Sequence, residues 1–284
     1  MMLIVADSGS TKTDWRIHTK SHGIREIQTI GLNPYFLTVE EITLVLEKGL
    51  HPFLNKKEAA RVFFYGSGCS HAEQILKIET ALANFFSKAD VSVESDLLGA
   101  ARALCGDMAG IVGILGTGSN TCVYNGQKIV KQILSLGYIL GDEGSGAVLG
   151  KKVLKSVLSG KMPKELVLDF KKDYPFSEDS ILGEVYSQPF PNRFLASYAP
   201  FAVKHLKDEW MKMLIHDHFT DFFDQMITIY EDYHEYTLNI AGSIAWYLQP
   251  VLEELCMEYK MSLGNVIKRP IDDLVKYHLD HDQD

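Results

Sequence analysis

Twice along this chain the same pattern begins: a short apolar run, a turn of small polar residues, then a second strand-like run. Met2–Ala6 leads through DSGSTKTD (7–14) into Trp15–Thr19, and Gly110–Leu115 leads through GTGSN (116–120) into Thr121–Tyr124. Strands this short cannot bury their apolar faces alone and need helices laid across the sheet. The segments after the first restart supply them. Ile24–Ile30 reads as a third strand, and Thr38-x-x-Glu41 as a capping box that opens a helix. Arg61–Tyr65 is a strand. Ser70-x-x-Glu73 reads as a second capping box, ahead of Ile75, Ile78, Leu82, Phe85 and Phe86 at helical spacing. Val91–Val93 is another strand, and Asp96 opens the helix LLGAARALCG. Hairpin strands followed by alternating helix and strand predict an α/β layer on a mixed sheet.

The second restart continues through the hairpin signal Asn125-Gly126 into a strand at Lys128–Leu134. Helices then dominate: AVLGKKVLKSVL, NRFLASYAPFAVKHL, Asp208 to about Tyr233, and Ser243 to about Tyr259, with a late strand at Thr237–Ala241. Pro270 starts a last helix, near its first position, where proline is tolerated. Both halves therefore read as lobes of related design, with a boundary near 106–110.

With 284 residues, 46% of them hydrophobic, the chain can build a sizeable core in two domains. Its formal charge of −9 argues against a general nucleic-acid binder, which needs a basic face. An anionic ligand would have to be met by backbone N–H groups. The apolar start before Asp7 is too short for a signal peptide and lacks a basic flank, and no apolar run approaches the roughly 20 residues that span a bilayer. Cys69, Cys105, Cys122 and Cys256 are scattered without a CxxC pair, which fits reduced thiols in the cytoplasm.

Chemistry concentrates in four small-residue turns: DSGSTKTD, GTGSN, GDEGSG (141–146) and AGS (241–243). Such turns at strand ends can point N–H groups at a phosphate, although any one of them alone reads equally as an ordinary turn. Two common nucleotide signatures are missing. SGAVLGKK (145–152) departs from GxxxxGK[ST] at Ser145 and Lys152 and reads as helix interior. GxGxxG is absent from the first turn, which enters a strand rather than a helix.

The ordered set DSGSTKTDW, GLNPYF, DLLGAARALCG, GILGTGSNTCVYNG, LGYILGDEGSGAVLGKK, PNRFLASY and AGSIAWYL spans nearly the whole chain. It resembles the BadF/BadG/BcrA/BcrD ATPase family, in its N-acetylglucosamine kinase-like branch, within the actin, Hsp70 and sugar-kinase superfamily. The first turn departs from that family's commonest DGGGTKTD, with Ser8 and Ser10 for glycine. The resemblance implies two ribonuclease H-like, actin-like lobes with an interlobe cleft that closes on its ligands. Residues 1–107 would form the first lobe, joined by the helix 270–284, and 108–269 the second, with helical insertions. It implies an ATP-dependent kinase of an amino sugar, most readily N-acetylglucosamine. Asp96 would be the base. Asp7 would sit near Mg²⁺ and phosphate through water. Ser10, Thr11 and Lys12 would form a first phosphate loop and Gly116, Thr117 and Gly118 a second. Gly242 and Ser243 would border the adenosine. Asn33, Asp96, Ser119, Asn120, Gly137, Asp142 and Glu143 would meet the sugar.

Plainer readings stand beside these. Asp96 reads as a helix N-cap, Asp7 as a turn residue, Asn33 before Pro34 as a turn former, and Asp142-Glu143 as a solvated loop. Lys12 reads equally as solvated, and Thr11 and Thr117 as strand-end threonines. His216 and His218 do not share a helix face, so a metal site there is disfavoured. His278 and His281 share a face near the end of the chain and read as solvated. Two other functions compete: an activator ATPase of a dehydratase or reductase, which would need a cysteine-held iron–sulfur cluster, and a non-catalytic actin-like nucleotide switch. The partners expected are a small sugar and ATP, with no nucleic acid and no membrane, and the exposed-looking helices are compatible with a homodimer.

Overall fold

A computed structural model describes residues 2–9, 11–19, 21–54, 60–175 and 177–281. The chain divides into two compact units, one made of residues 1–108 with 269–284 and the other of Ala109–Lys268.

The first unit is built on β1 (Met2–Ser8), β2 (Lys12–Thr19), β3 (Gly23–Ile30), β4 (Ala60–Gly66) and β5 (Ala89–Ser95), in the sheet order β3-β2-β1-β4-β5. β1 runs antiparallel to β2 and parallel to β4. Side chains alternate across a strand, and β1 uses both faces. Ile4 and Ala6 pack with Trp15, Val62 and Phe64 in one cluster, whereas Leu3 and Val5 pack with Tyr65, Ile271, Leu274 and Val275 in another. Each side chain of this size, fully buried, contributes about 1.5–3 kcal/mol. The helices α1 (Val39–Gly49), α2 (Ala72–Phe85) and α3 (Asp96–Cys105), with the C-terminal helix Ile271–His281, supply the partners.

Thr38 caps α1 in a full capping box with Glu41, as its spacing predicts. Ser70 does not cap α2. That helix starts at Ala72 behind an extended His71 whose side chain makes no cap, so Ser70 lies one residue too early. Asp96 is the first residue of α3 rather than its cap, because the Ser95 hydroxyl accepts the Leu98 N–H.

The second unit repeats the plan: β6 (Ala109–Leu115), β7 (Ser119–Asn125), β8 (Ile129–Gln132), β9 (Thr237–Ala241) and β10 (Ser262–Ile267), in the order β10-β9-β6-β7-β8. Three antiparallel strands again lead into parallel neighbours. Its helices are α4 (Gly137–Leu140), α5 (Gly146–Leu158), α6 (Lys164–Asp173), α7 (Glu178–Ser187), α8 (Pro191–Ala196), α9 (Ala199–Lys204), α10 (Glu209–Phe222), α11 (Ser243–Tyr247) and α12 (Gln249–Glu258). The C-terminal helix of the first unit is α13 (Ile271–His281).

Three segments expected as single helices are divided. NRFLASYAPFAVKHL breaks between α8 and α9, where Pro200 has no N–H to continue the ladder, and Pro250 likewise separates α11 from α12. The helix from Asp208 stops at Phe222 and widens into a π turn at Phe223–Ile227. Ser145 caps α5, so SGAVLGKK begins that helix rather than lying inside it. Pro270 stands just before α13, one position earlier than expected. β10 carries no apolar alternation and is interrupted by Gly264, where Asn239 Oδ1 accepts the Asn265 N–H beside a register shift. Among the described residues no helix is long and apolar enough to cross a membrane.

Candidate active site

In the first unit the carboxylates collect at one end of the sheet. Asp7 and Asp14 are direct partners across β1 and β2. Asp96 follows β5 at the start of α3. Asp7 is half-buried, and its pKa is pushed up to about 7, by burial first and then by the negative charges of Asp96 and Asp14, against the opposing charges of Lys12 and Arg269. Burial likewise lifts Asp96 to about 6, although its Oδ1 accepts the Leu97 N–H at 2.9 Å, which favours the charged form. Asp14 behaves oppositely. Burial alone would raise it, but hydrogen bonds from Lys12 and Gln28 and the charges of Lys12 and Arg269 outweigh burial and hold it below the usual carboxylate range. A carboxylate that titrates near neutral pH can exchange a proton with a substrate hydroxyl, and such groups concentrate in active sites.

The first small-residue turn closes by a Gly9 N–H bond to the Lys12 carbonyl at 3.0 Å. Ser10 lies outside the described residues. Thr11 is exposed, and its carbonyl accepts the Gly31 N–H. Lys12 Nζ lies 2.7 Å from Asp14 Oδ2 in an ion pair. Ser8 is buried, bonded to Thr13 Oγ1 at 2.8 Å, and accepts the Leu32 N–H at 3.0 Å. That bond ties the turn to the segment carrying Asn33. Asn33 is buried and forms a turn, since its Oδ1 accepts the Tyr35 N–H at 2.9 Å. A Cβ at Gly68 would stand 3.0 Å from the same oxygen, so the turn after β4 presses against Asn33.

His278 is buried rather than solvated. It stacks on Phe63, meets the Tyr65 hydroxyl at 2.9 Å, and is driven down to about 3 by burial and by the nearby Arg102 and Arg61 charges. His281 is exposed and bonded to Asp107.

In the second unit the turn Gly116–Gly118 lies on the start of α5. The Gly146 and Ala147 N–H groups donate to the carbonyls of Gly116 (2.8 Å) and Thr117 (3.1 Å). A Cβ at Gly118 would meet the Asp142 carboxylate at 3.0 Å, so the residue there must be small. Asp142 is buried with φ +61°, and its Oδ1 accepts the Ser119 N–H at 3.4 Å. Its pKa is raised by burial and by neighbouring Glu143, against the Ser119 N–H and Lys151. The Ser119 hydroxyl is buried without a partner. Gly137 accepts the Gly141 N–H and so adjoins this loop. Asn120 stands apart: its Oδ1 accepts from the Thr121 N–H and from Gln132 on β8.

Gly242 has φ +126°, and a Cβ there would fall 2.1 Å from the Leu115 carbonyl oxygen, so no other residue fits without displacing backbone. Next to it opens a cavity of about 420 Å³, lined by Gly116, Thr117, Ser243, Gly146, Pro200 and Tyr247 among others. That volume lies in the range of small-molecule sites.

The chain is 38% identical to a protein from Porphyromonas gingivalis whose crystal structure is described as a "Putative N-acetylglucosamine Kinase"; the match covers 99% of each chain at a TM-score of 0.92. The chain belongs to this family. It is a family of N-acetylglucosamine kinase-like proteins in the actin, Hsp70 and sugar-kinase superfamily. A second protein so described, from Chromobacterium violaceum, matches at 17% identity over 97% of this chain and 98% of its own, with a TM-score of 0.74. A ROK family glucokinase from Streptomyces griseus, solved with glucose and AMPPNP, matches at 13% identity over 97% and 98%, with a TM-score of 0.58. At those identities the likeness is one of fold, the two-lobed α/β actin-like fold. No protein-family model and no curated protein sequence matches the chain.

Within this kinase-like chain, sequence reasoning passed over one wall of the cavity. Ala196, Ala199, Pro200 and Val203 come from α8 and α9, and Tyr247 from α11. Pro200 was the available signal, because a proline inside an apparent helix marks a break where a ligand can approach backbone. Tyr247 is held by Lys268, whose Nζ lies 2.5 Å from its hydroxyl and 4.6 Å from its ring centre.

Proposed function

We propose that this protein is an ATP-dependent kinase that transfers the γ-phosphoryl group to a hydroxyl of an amino sugar, with N-acetylglucosamine the first candidate. What supports this reading most is Asp96, a carboxylate at the start of α3 whose pKa stands near 6, with Asp7 in its field. A sugar hydroxyl is a weak nucleophile at neutral pH. Asp96 takes its proton as the new P–O bond forms, which is typically worth ~10²–10⁴-fold. The remaining barrier falls to positioning and charge stabilisation.

The other residues divide by chemistry. The turn holding Thr11 and Lys12 and the turn holding Thr117 and Gly118 would meet phosphate oxygens with backbone N–H groups, the Gly116 N–H being engaged by the Gly118 carbonyl. Gly242 and Ser243 border the nucleoside beside the cavity. Asn33, Ser119, Asn120, Gly137, Asp142 and Glu143 offer donors and acceptors that suit sugar hydroxyls. Ser119 is an apt member, with a buried hydroxyl still to be paired.

An oxygen-only, crowded carboxylate set suits a hard divalent cation, and Asp7, whose charge is opposed by Asp96 and Asp14, gains most from one. Asp7 would hold Mg²⁺ through water, and the ion would neutralise charge on the transferring phosphoryl group. The four cysteines are free, in keeping with a cytoplasmic enzyme.

The test is an ADP-release screen over N-acetylglucosamine, glucosamine and related amino sugars, run on the native chain and on Asp96→Asn. ADP release dependent on one of these sugars, lost in the variant while sugar affinity stays, is the expected result. ADP release that no sugar stimulates would overturn the assignment.

A further inference from the structure

The acid end of the first unit contains two cations, and they are placed differently. Lys12 is committed: its Nζ sits 2.7 Å from Asp14 Oδ2. Asp14 also accepts from Gln28 Nε2 at 2.7 Å, so its oxygens are well supplied. Arg269 approaches the same carboxylate only to 3.9 Å, beyond hydrogen-bond reach, and its side chain is 48% exposed. This is its one ion pair among the described residues. A guanidinium carries five donors in a planar fork suited to two oxygens at once. Most of that capacity is unused here, at the end of the sheet where Asp7 and Asp14 face each other.

Its backbone is also held in place. Arg269 precedes Pro270, which restricts it to extended conformations. Two residues later Ile271 is fully buried against Leu3 and Val5, the β1 residues on the Asp7 face. Asp272 is bonded to the buried Arg16 at 2.7 Å, and Arg16 lies two residues along β2 from Asp14. The start of α13 is thereby pinned to β2. The guanidinium is carried to the carboxylate end by rigid elements rather than by a loose loop.

Resting on the kinase reading above, we infer that Arg269 is a phosphate-binding residue: its guanidinium donates to the terminal phosphates of the nucleotide beside the 9–12 turn. The ion has a second consequence for an acidic chain. It supplies local positive charge where three carboxylates, Asp7, Asp14 and Asp96, would otherwise repel an anion.

The experiment measures binding of ATP and of AMP, each with magnesium, to the native chain, Arg269→Gln and Arg269→Lys. Charge-assisted contacts of this kind are worth about tenfold to a hundredfold in affinity. Arg269→Gln should lose that much for ATP and under about threefold for AMP, whose single phosphate does not reach the terminal position. Arg269→Lys should fall between, since lysine keeps the charge without the fork. Unchanged ATP affinity in Arg269→Gln, or equal losses for ATP and AMP, would overturn the inference. Should Arg269→Gln fail to fold, Arg269→Lys decides alone, by losing more for ATP than for AMP or by losing equally. A native chain that binds no ATP would instead sink the kinase reading itself.

Discussion

The two units share a frame and differ in what decorates it. Each places a small-residue turn between its first two antiparallel strands and sets parallel strands on the far side. In the first unit, Asp7 and Asp14 face each other just before that turn closes; the pair at the matching register in the second unit is Ile114 and Asn120. The first frame therefore sets two facing carboxylates on the strands that enter its turn. The second has none at that register; its turn carries glycines beside a cavity of about 420 Å³, and its carboxylate, Asp142, comes from a later loop. On the function proposed above, one frame would serve proton transfer and the other the grip of a nucleoside. A common sheet topology evidently places strand ends where ligands can meet them, and the side chains at those ends decide the chemistry.

The largest effect that tests this division is on turnover. Asp96→Asn should lower kcat by about 10²–10⁴-fold with sugar affinity retained, and loss of affinity instead of turnover would remove the base from the first unit. The native enzyme should also lose activity as pH falls through about 6, because Asp96 must be ionised to accept a proton. A rate profile flat down to pH 5 would contradict that.

Next come the glycines at the ends of the parallel neighbours of the central strands, Gly66 closing β4 and Gly242 following β9. A Cβ at Gly242 collides with the Leu115 backbone at 2.1 Å, whereas one at Gly66 meets the side chains of Phe64 and Cys69. Gly242→Ala should cost about 2–4 kcal/mol in denaturant unfolding, and Gly66→Ala less, since side chains can shift. Equal losses would erase that contrast between the units.

A smaller effect concerns stability against pH. Asp96 is raised from 3.8 to about 6 in the folded chain, so the folded state binds a proton that the unfolded chain releases above about 4. Its contribution to stability is fully present below that and is lost as pH rises through about 6. Asp96→Asn should therefore be more stable than the native chain at pH 8, by about 1–2 kcal/mol once partial exposure is allowed for, and no more stable at pH 4. The smallest effect is a matched pair of caps. Ser145→Ala and Thr38→Ala should each cost about 1 kcal/mol, but only Ser145→Ala should also weaken nucleotide binding, because the helix it caps supports Gly116 and Thr117.

Much of this was legible before any coordinates. The strands around both turns, the Thr38 cap and the strand Thr237–Ala241 follow from apolar runs and turn residues that act locally. Where tertiary context overrides local signals, reading stopped. β10 escaped notice because Gly264 and a bulge remove its alternation, and the wall at 196–203 was hidden inside what looked like a continuous helix. The candidate site divides in the same way. The small-residue turns could be located from sequence. The Lys12–Asp14 pair follows once Lys12–Thr19 is a strand, since residues two apart share a face. The tie from Ser8 to Leu32 and the approach of Arg269 from the far end of the chain could not be located, because they depend on how distant segments and α13 dock.

The most direct test of the kinase assignment follows the phosphoryl group itself. With ATP labelled at the γ-phosphate, magnesium and N-acetylglucosamine, label should appear on the sugar, in step with ADP, and should disappear with Asp96→Asn. Label released as inorganic phosphate at the same rate with and without any amino sugar would contradict the account.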